Sequence, residues 1–203
     1  MTGTAAPTLP RRTREEISAE VRRATLELAE QLPFKDLTVD QIARAAGLTR
    51  TAFYFYFRSK QDLLRATLEE VADETYREAD RWWHGEGEPE QLIRTAIEGV
   101  VGVYLRHANL MRVAHEVATY DAEVGALWQR LTARFIDGAA DHMRREQDAG
   151  RLRPLDPDAT AEALILMTES SSYSVLGVGR RPPAQLVDTL TAIWFHALYA
   201  DAA

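Results

Sequence analysis

The most informative part of this chain is residues 38–63, TVDQIARAAGLTRTAFYFYFRSKQDL. Thr38 stands three residues before Gln41, the spacing of a capping box, so a helix is expected to begin there. Leu37 and Ile42 are placed as in a hydrophobic staple, directly before the cap and four residues after it. The sequence therefore predicts a short helix with a defined start.

A glycine turn and a second cap follow this helix. Gly47 can adopt the left-handed conformation needed just past a helix end. Thr49 is then expected to cap a second helix over residues 50–57, and Leu48 and Phe53 repeat the staple spacing. Two helices joined by a short glycine turn form a helix-turn-helix, whose second helix can enter the major groove of DNA. The stretch therefore predicts a DNA-binding unit.

The same segment resembles the DNA-binding signature of the TetR family of bacterial transcriptional repressors. The aromatic run FYFYF, with SK and an apolar pair after it, carries the resemblance more specifically than the glycine turn does. The matching residues are Thr38, Ile42, Ala43, Ala46, Gly47, Thr49, Phe53, Tyr54, Tyr56, Phe57, Ser59, Lys60 and Leu63. The likeness is strong over residues 14–65, and weaker but colinear from residue 92 to the C-terminus. FYFYF with the later tryptophans resembles the subgroup that contains the mycobacterial repressor of ethionamide activation.

This resemblance implies that the second helix contacts DNA. Arg50 and Thr51 would face base edges, and Arg50 could bind guanine O6 and N7 in a bidentate pair. Tyr54 and Tyr56 would reach phosphates or a thymine methyl group. The full set implied to contact DNA is Thr38, Thr49, Arg50, Thr51, Tyr54, Tyr56 and Lys60.

The helix starts and the phenylalanines of this segment have separate expected roles. Thr38 and Lys60 begin neighbouring helices, where free backbone N–H groups and the helix dipole favour a phosphate. Phe53 and Phe57 are expected to pack against the first helix. The position of Phe55 stays open, because members of the resembled family place different residues there, and its ring could face the DNA groove. The tyrosines could also belong to a three-helix core, but two tyrosines alternating with three phenylalanines cannot all point inward.

Composition places the chain among compact proteins of a reducing compartment. It has 203 residues and no cysteine, which excludes a disulfide framework and a thiolate metal site. The N-terminal MTGTAAPTLPRRTR lacks the apolar core of a signal peptide, and no apolar run reaches membrane-spanning length. We therefore expect a soluble, cytoplasmic, nucleoid-associated protein without a membrane partner.

The charge is unevenly distributed along the chain. The net charge of −7 is the sum of +3 over residues 1–60 and −10 over residues 61–203. Phosphate attraction is local, because it falls off within about 10 Å at 0.1 M salt. A mildly basic N-terminal part can therefore bind DNA although the whole chain is acidic.

Apolar periodicity predicts an all-α protein of about nine helices. The first helix starts at Arg14, keeps one apolar face to Leu32 and ends at Pro33. Ser59, with Asp62 three residues later, caps the fourth helix, which runs to the two tryptophans before HGEGEP. The later helices are predicted over residues 90–105, 109–118, 121–148, 158–176 and 183–199.

The helix pattern and the family resemblance together predict that the chain has three parts. Residues 1–13 are expected to be a disordered basic arm, 14–60 the helix-turn-helix domain, and 61–203 an effector-binding and dimerisation domain. The composition of the arm fits a solvated tail and a minor-groove contact equally well.

The predicted body contains bulky aromatic residues at helical spacing. Periodicity alone favours a plain core, whereas TetR-family bodies bind small apolar effectors between these helices, and the resembled subgroup has an aromatic-lined tunnel there. The residues implied to line such a tunnel are Ile93, Val100, Tyr104, Trp128, Leu131, Thr132, Phe135, Ile165, Thr168, Tyr173 and Trp194. Thr168 stands where the subgroup carries a ligand-binding amide. Glu169 is expected to point away and to pair structurally, since a buried carboxylate needs a partner.

The last two helices are the expected homodimer surface. Their apolar faces exceed what one protomer core needs, and two such helices with their symmetry mates form the four-helix bundle of TetR-family dimers. The residues assigned to these faces are Ala161, Leu164, Ile165, Thr168, Leu186, Leu190, Ile193 and Ala197. A two-fold dimer also suits a palindromic double-stranded DNA operator.

An enzyme is the rival class of protein. The five histidines show no HExxH spacing, Ser170 to Ser172 lie within a predicted helix, and there is no glycine-rich phosphate loop. We therefore expect no catalytic residue, no metal and no cofactor. A transcriptional activator, a ligand-independent DNA binder and a protein-interaction adaptor remain alternatives to a repressor.

Overall fold

The computed structural model describes residues 13–178 and 182–199, without the side chains of residues 175–178. The described residues form nine α-helices and no strand, so the predicted all-α class is confirmed. The helices are α1 (Arg14–Leu28), α2 (Val39–Ala45), α3 (Arg50–Phe53), α4 (Lys60–His84), α5 (Pro89–Arg106), α6 (Ala108–Ala118), α7 (Ala122–Asp148), α8 (Pro157–Val178) and α9 (Pro183–Leu198), with one 3-10 turn at Phe34–Asp36. The predicted basic arm, apart from Thr13, lies outside the described residues.

The predicted helix starts are present as reciprocal side-chain caps. The Thr38 backbone N–H donates to Gln41 Oε1 at 2.8 Å, and the Gln41 N–H donates to Thr38 Oγ1 at 3.3 Å. The Ala52 N–H donates to Thr49 Oγ1 at 3.1 Å. Gly47 has the predicted left-handed backbone, with φ of 67°. The caps and the turn of the helix-turn-helix are therefore confirmed.

Two predicted helix ends are wrong. α1 stops at Leu28, and Leu32 is exposed. After Leu28 the chain tightens, since the Gln31 N–H donates to the Leu28 carbonyl three residues back at 3.0 Å. α3 is a single turn that ends at Phe53. The chain then tightens, since the Tyr56 N–H donates to the Phe53 carbonyl three residues back at 3.0 Å.

The chain divides into two compact units between Leu64 and Arg65. We call the part up to Leu64 the head unit and the part from Arg65 the body unit. The buried centre of the head unit includes Val21, Ala24, Phe34, Leu37, Ile42, Ala43, Phe53, Phe57 and Leu63. In the body unit, α7 packs on α8 and α5 packs on α9.

Five of the eight residues assigned to the dimer surface are buried within the protomer itself. Those that are buried are Ala161, Leu164, Thr168, Leu186 and Leu190. The assignment is therefore wrong for them, because α8 and α9 direct these apolar rows toward α5 and α7 within one chain. Among the described side chains of the two helices, the large apolar ones most exposed at the surface are Leu166, 44% exposed, and Ile193, 41% exposed.

His142 is a buried histidine on α7. Its Nδ1 lies 3.1 Å from the Trp83 carbonyl oxygen, so this nitrogen carries the proton. Its ring meets the Trp82 ring edge-on, with centroids 4.3 Å apart. Burial lowers the pKa of His142, and the nearby Glu146 carboxylate opposes part of that shift. The imidazole is therefore neutral in the folded body unit at neutral pH.

Acidification is expected to destabilise the body unit through His142. Below the ordinary histidine pKa of about 6.5, the unfolded chain takes up a proton that the folded site resists, so stability falls with pH. The expected loss between pH 7.5 and 5.5 is at most about 1.4 kcal/mol. Denaturant unfolding followed by tryptophan fluorescence at the two pH values measures it. His142→Gln should flatten the dependence, whereas His196→Gln, on an exposed histidine, should leave it unchanged.

Candidate DNA-binding surface and effector cavity

The start of α3 presents polar side chains to solvent. The Arg50 side chain is 61% exposed, with its guanidinium 3.8 Å from the Asp40 carboxylate and 5.9 Å above the Tyr54 ring. Thr51 and Thr49 are exposed as well. Because Arg50 is tethered only by exposed partners, its guanidinium remains available to a base edge.

The aromatic run alternates between the core and the surface. Phe53 and Phe57 are buried, as expected, and their ring centroids are 5.8 Å apart. Phe55 is 75% exposed and Tyr54 is 46% exposed. Tyr56 is half-buried, with the Arg14 guanidinium 6.0 Å from its ring centroid. The question left open for Phe55 is therefore answered: its ring lies at the surface of the head unit.

Lys60 is the first residue of α4, as expected, and its side chain is bound within the head unit. Its Nζ donates to the backbone carbonyls of Phe34 at 2.7 Å, Lys35 at 2.7 Å and Leu37 at 2.6 Å. An ammonium has three donors, so all of them are used inside the head unit. Burial lowers the pKa of Lys60, and the Asp36 carboxylate partly opposes this.

The Lys60 side chain is therefore a clamp on the segment that leads into α2. In this arrangement the ammonium group has no donor left for a phosphate. The backbone N–H at the start of α4 still supports a phosphate contact, and that contact stays a prediction.

The body unit contains a cavity of about 120 Å³. Ten of the eleven residues implied to line a tunnel surround it: Ile93, Val100, Tyr104, Trp128, Leu131, Thr132, Phe135, Ile165, Thr168 and Trp194. Tyr173 is not among the lining residues; its ring stacks on His115 with centroids 4.4 Å apart. Five residues along a helix correspond to a rotation of about 140°, which turns Tyr173 away from the face that carries Thr168. The placement of Tyr173 is therefore corrected.

Sequence reasoning missed the wall that α4 contributes to the cavity. The α4 residues in the lining are Leu68, Ala72, Thr75, Ala79, Trp82 and Trp83. Most of them recur every three or four residues, which is the period of one helix face. That period was visible in the sequence and would have identified this face.

Thr168 has little hydrogen-bonding capacity left for a ligand. Its hydroxyl donates to the Leu164 carbonyl at 2.8 Å and accepts from Trp194 Nε1 at 2.9 Å. Since a hydroxyl has a single proton, Thr168 cannot donate to a ligand without breaking the bond to Leu164.

Glu169 points into the cavity, contrary to expectation. It accepts from Trp128 Nε1 at 2.6 Å and from Thr132 Oγ1 at 3.2 Å. The two donors explain the orientation, because they partly satisfy a carboxylate that would otherwise be desolvated without a partner. Burial and the nearby Glu169 charge both raise the pKa of Tyr104, so this phenol stays neutral.

Within residues 13–178 and 182–199, no group of three or more His, Asp or Glu side chains is arranged to hold a metal ion. None of the helices in those ranges combines the length and the apolar character of a membrane span.

A capped helix-turn-helix in one unit and a cavity-bearing helical body in the other define the class of helix-turn-helix regulators. The family model for bacterial regulatory proteins of the tetR family matches residues 21–74. The model for the C-terminal domain of the transcriptional regulator EthR matches residues 93–200. The chain belongs to the TetR family of DNA-binding transcriptional regulators and carries an EthR-type C-terminal domain.

Relatives along most of the chain agree with this membership. EthR of Mycobacterium tuberculosis (H37Rv) is 30% identical over 185 residues, covering 88% of this chain and 85% of EthR. EthR of Mycolicibacterium smegmatis is 28% identical over 190 residues, covering 89% and 85%.

Solved structures show the same fold at lower identity. A TetR-family regulator from Syntrophomonas wolfei has a TM-score of 0.80 at 14% identity, covering 91% of this chain and 96% of that one. NalD, the secondary repressor of the MexAB-OprM efflux pump in Pseudomonas aeruginosa, has a TM-score of 0.71 at 22% identity, covering 94% and 100%.

Proposed function

We propose that this protein is a homodimeric repressor that binds a palindromic DNA operator and releases it when a small effector occupies the body cavity. The observation that carries the proposal is the α4 wall of that cavity. α4 begins beside the helix-turn-helix at Lys60 and contributes six cavity residues between Leu68 and Trp83. A ligand that binds more tightly to one arrangement of α4 shifts the population toward that arrangement.

The DNA contacts are proposed for the exposed start of α3 and the neighbouring helix starts. Arg50 and Thr51 read base edges, while Tyr54 and Tyr56 reach the backbone. Thr38, Thr49 and the backbone N–H of Lys60 offer helix N-termini to phosphates.

Dimerisation is proposed through α8 and α9. The exposed Leu166 and Ile193 support it, together with the small exposed Ala163 and Ala192, which allow close helix approach. A two-fold pairing through these helices would present two head units to two half-sites.

The first test is selection of bound duplexes from a random DNA pool by the purified full chain. An enriched palindrome supports a dimeric sequence-specific regulator. A folded protein that enriches nothing at low salt contradicts the proposal and leaves a protein-interaction adaptor. Reporter expression from the selected site then separates repression from activation.

Arg50→Ala is expected to relax base preference at one position of each half-site. The loss of a bidentate contact to guanine corresponds to about 1–3 kcal/mol of discrimination. Competition binding with single-base variants of the selected duplex measures it.

Arg23→Ala is the matched control for this variant, because Arg23 is an exposed cation of the same unit that pairs with Glu20 and Glu27. An equal loss of affinity for every duplex in Arg50→Ala would assign Arg50 to the phosphates and not to a base.

A further inference from the structure

The cavity contains one carboxylate among apolar and neutral polar walls. Of the described residues that line it, Glu169 is the one with a carboxylate side chain. The remaining lining residues are aliphatic, aromatic or hydroxyl-bearing, with four tryptophans among them. The described lining of the cavity therefore contains one acidic side chain and no basic one.

The partners of Glu169 identify it as an acceptor. Trp128 Nε1 can only donate, so its 2.6 Å contact requires a lone pair on Glu169 Oε1. The second contact, from Thr132 Oγ1 at 3.2 Å, lies at the long end for a hydrogen bond between oxygens. Within the part of the chain that the structure describes, no arginine, lysine or histidine pairs with Glu169.

The Glu169 carboxylate therefore has two neutral donors and, among the described residues, no cationic partner. Each carboxylate oxygen can accept about two hydrogen bonds, and each has one such partner, so acceptor capacity remains on both oxygens.

We propose that the effector class is an apolar molecule carrying one protonated amine, which binds with its ammonium group against Glu169. This inference rests on the proposed effector function of the cavity and specifies its ligand. An ammonium group supplies the missing counter-ion, and in apolar surroundings that attraction is screened less than in water.

The aromatic walls and the volume of the cavity also suit an apolar amine. Aromatic faces such as that of Trp128 favour a nearby cation. An apolar cavity of about 150 Å³ holds a molecule of the size of benzene, so 120 Å³ suits a single-ring compound. An anionic ligand would face the Glu169 charge without a described cation to offset it.

The test uses probes of matched shape and different charge. These are 2-phenylethylamine, 2-phenylethanol and propylbenzene, with 3-phenylpropionate as the anion. Calorimetric titration of the full chain without DNA is expected to show the amine binding about tenfold or more tighter than the alcohol and the hydrocarbon. 3-Phenylpropionate is expected to bind most weakly.

Two matched variants locate the effect. Glu169→Gln keeps the shape and removes the charge, so the advantage of the amine should disappear while propylbenzene still binds. Glu162→Gln removes a carboxylate from the exposed side of the same helix, and the advantage should persist. Thermal unfolding of both variants verifies that they fold.

Equal affinity for the amine and its neutral analogues in the wild-type chain overturns the inference. So does an undiminished preference in a folded Glu169→Gln variant, or the failure of every probe to bind at millimolar concentration. The wild-type ranking tests charge selectivity even if Glu169→Gln does not fold.

The proposed function fails separately from this inference. A chain that selects a palindrome but shows no amine preference keeps the regulator and loses the ligand class. A chain that binds the amine through Glu169 but enriches no DNA keeps the site and loses the repressor.

Discussion

Phe53→Ala is expected to lower the free energy of unfolding of the head unit by about 3–5 kcal/mol, the usual cost of removing a fully buried aromatic ring. Phe53 has no exposed surface and packs against Phe57 and the edge of Tyr54. A unit of some fifty residues has roughly 3–8 kcal/mol of stability in total. The substitution should therefore leave the head unit largely unfolded and abolish operator binding.

Phe55→Ala is the matched control, because Phe55 is two residues away and 75% exposed. It should change stability by no more than about 0.5 kcal/mol. Amide hydrogen exchange of peptides between residues 14 and 64 reports the head unit. The four tryptophans all lie in the body unit, so their fluorescence reports the body and should not change. A head unit that keeps its exchange protection in Phe53→Ala would show that this ring is not the centre of its core.

Lys60→Met is expected to destabilise the head unit by about 2–4 kcal/mol. The methionine keeps most of the apolar stem but leaves three carbonyl groups without their charged donor, and each hydrogen bond to a charged group contributes about 1.5–3 kcal/mol. Part of this loss of stability is offset because Lys35 is exposed, so water can bind its carbonyl group. Hydrogen exchange of residues 34–45 measures the loss of protection at the entry to α2.

Lys35→Met is the control for this substitution, because it removes an exposed lysine charge from the clamped segment itself. It should leave exchange protection unchanged. If Lys60→Met keeps the head unit intact but weakens all DNA sequences equally and flattens the salt dependence, the side chain binds phosphate when DNA is present and the clamp is not needed for folding.

The features that were predicted well depend on short stretches of chain. The capping box of Thr38 and Gln41, the cap at Thr49 and the left-handed Gly47 each involve groups within four residues of one another. Such interactions form between residues that are close in sequence, so they can be predicted without knowing the rest of the fold. The same locality holds for the start of α4, where the Asp62 N–H donates to Ser59 Oγ at 3.0 Å, as predicted from the spacing of these two residues.

The features that were missed depend on residues far apart in sequence. The donors of the Lys60 clamp and their acceptors are separated by 23 to 26 residues, and Glu169 meets Trp128 and Thr132 across 41 and 37 residues. Periodicity identifies the apolar face of α8, but it does not say whether that face meets a second protomer or the helices of its own chain. Here Leu164 and Leu190 are buried within the protomer.

The amino-acid sequence by itself determined the all-α class, the helix-turn-helix with its caps, and the TetR-family membership, because these depend on residue type and local spacing. Only the tertiary structure decided that the Lys60 ammonium uses its three donors inside the head unit, which face of α4 lines the cavity, and that Glu169 points into the cavity. The physical reason is that a side chain's partners are set by packing between distant segments, where competing contacts of similar free energy can be distinguished only in three dimensions.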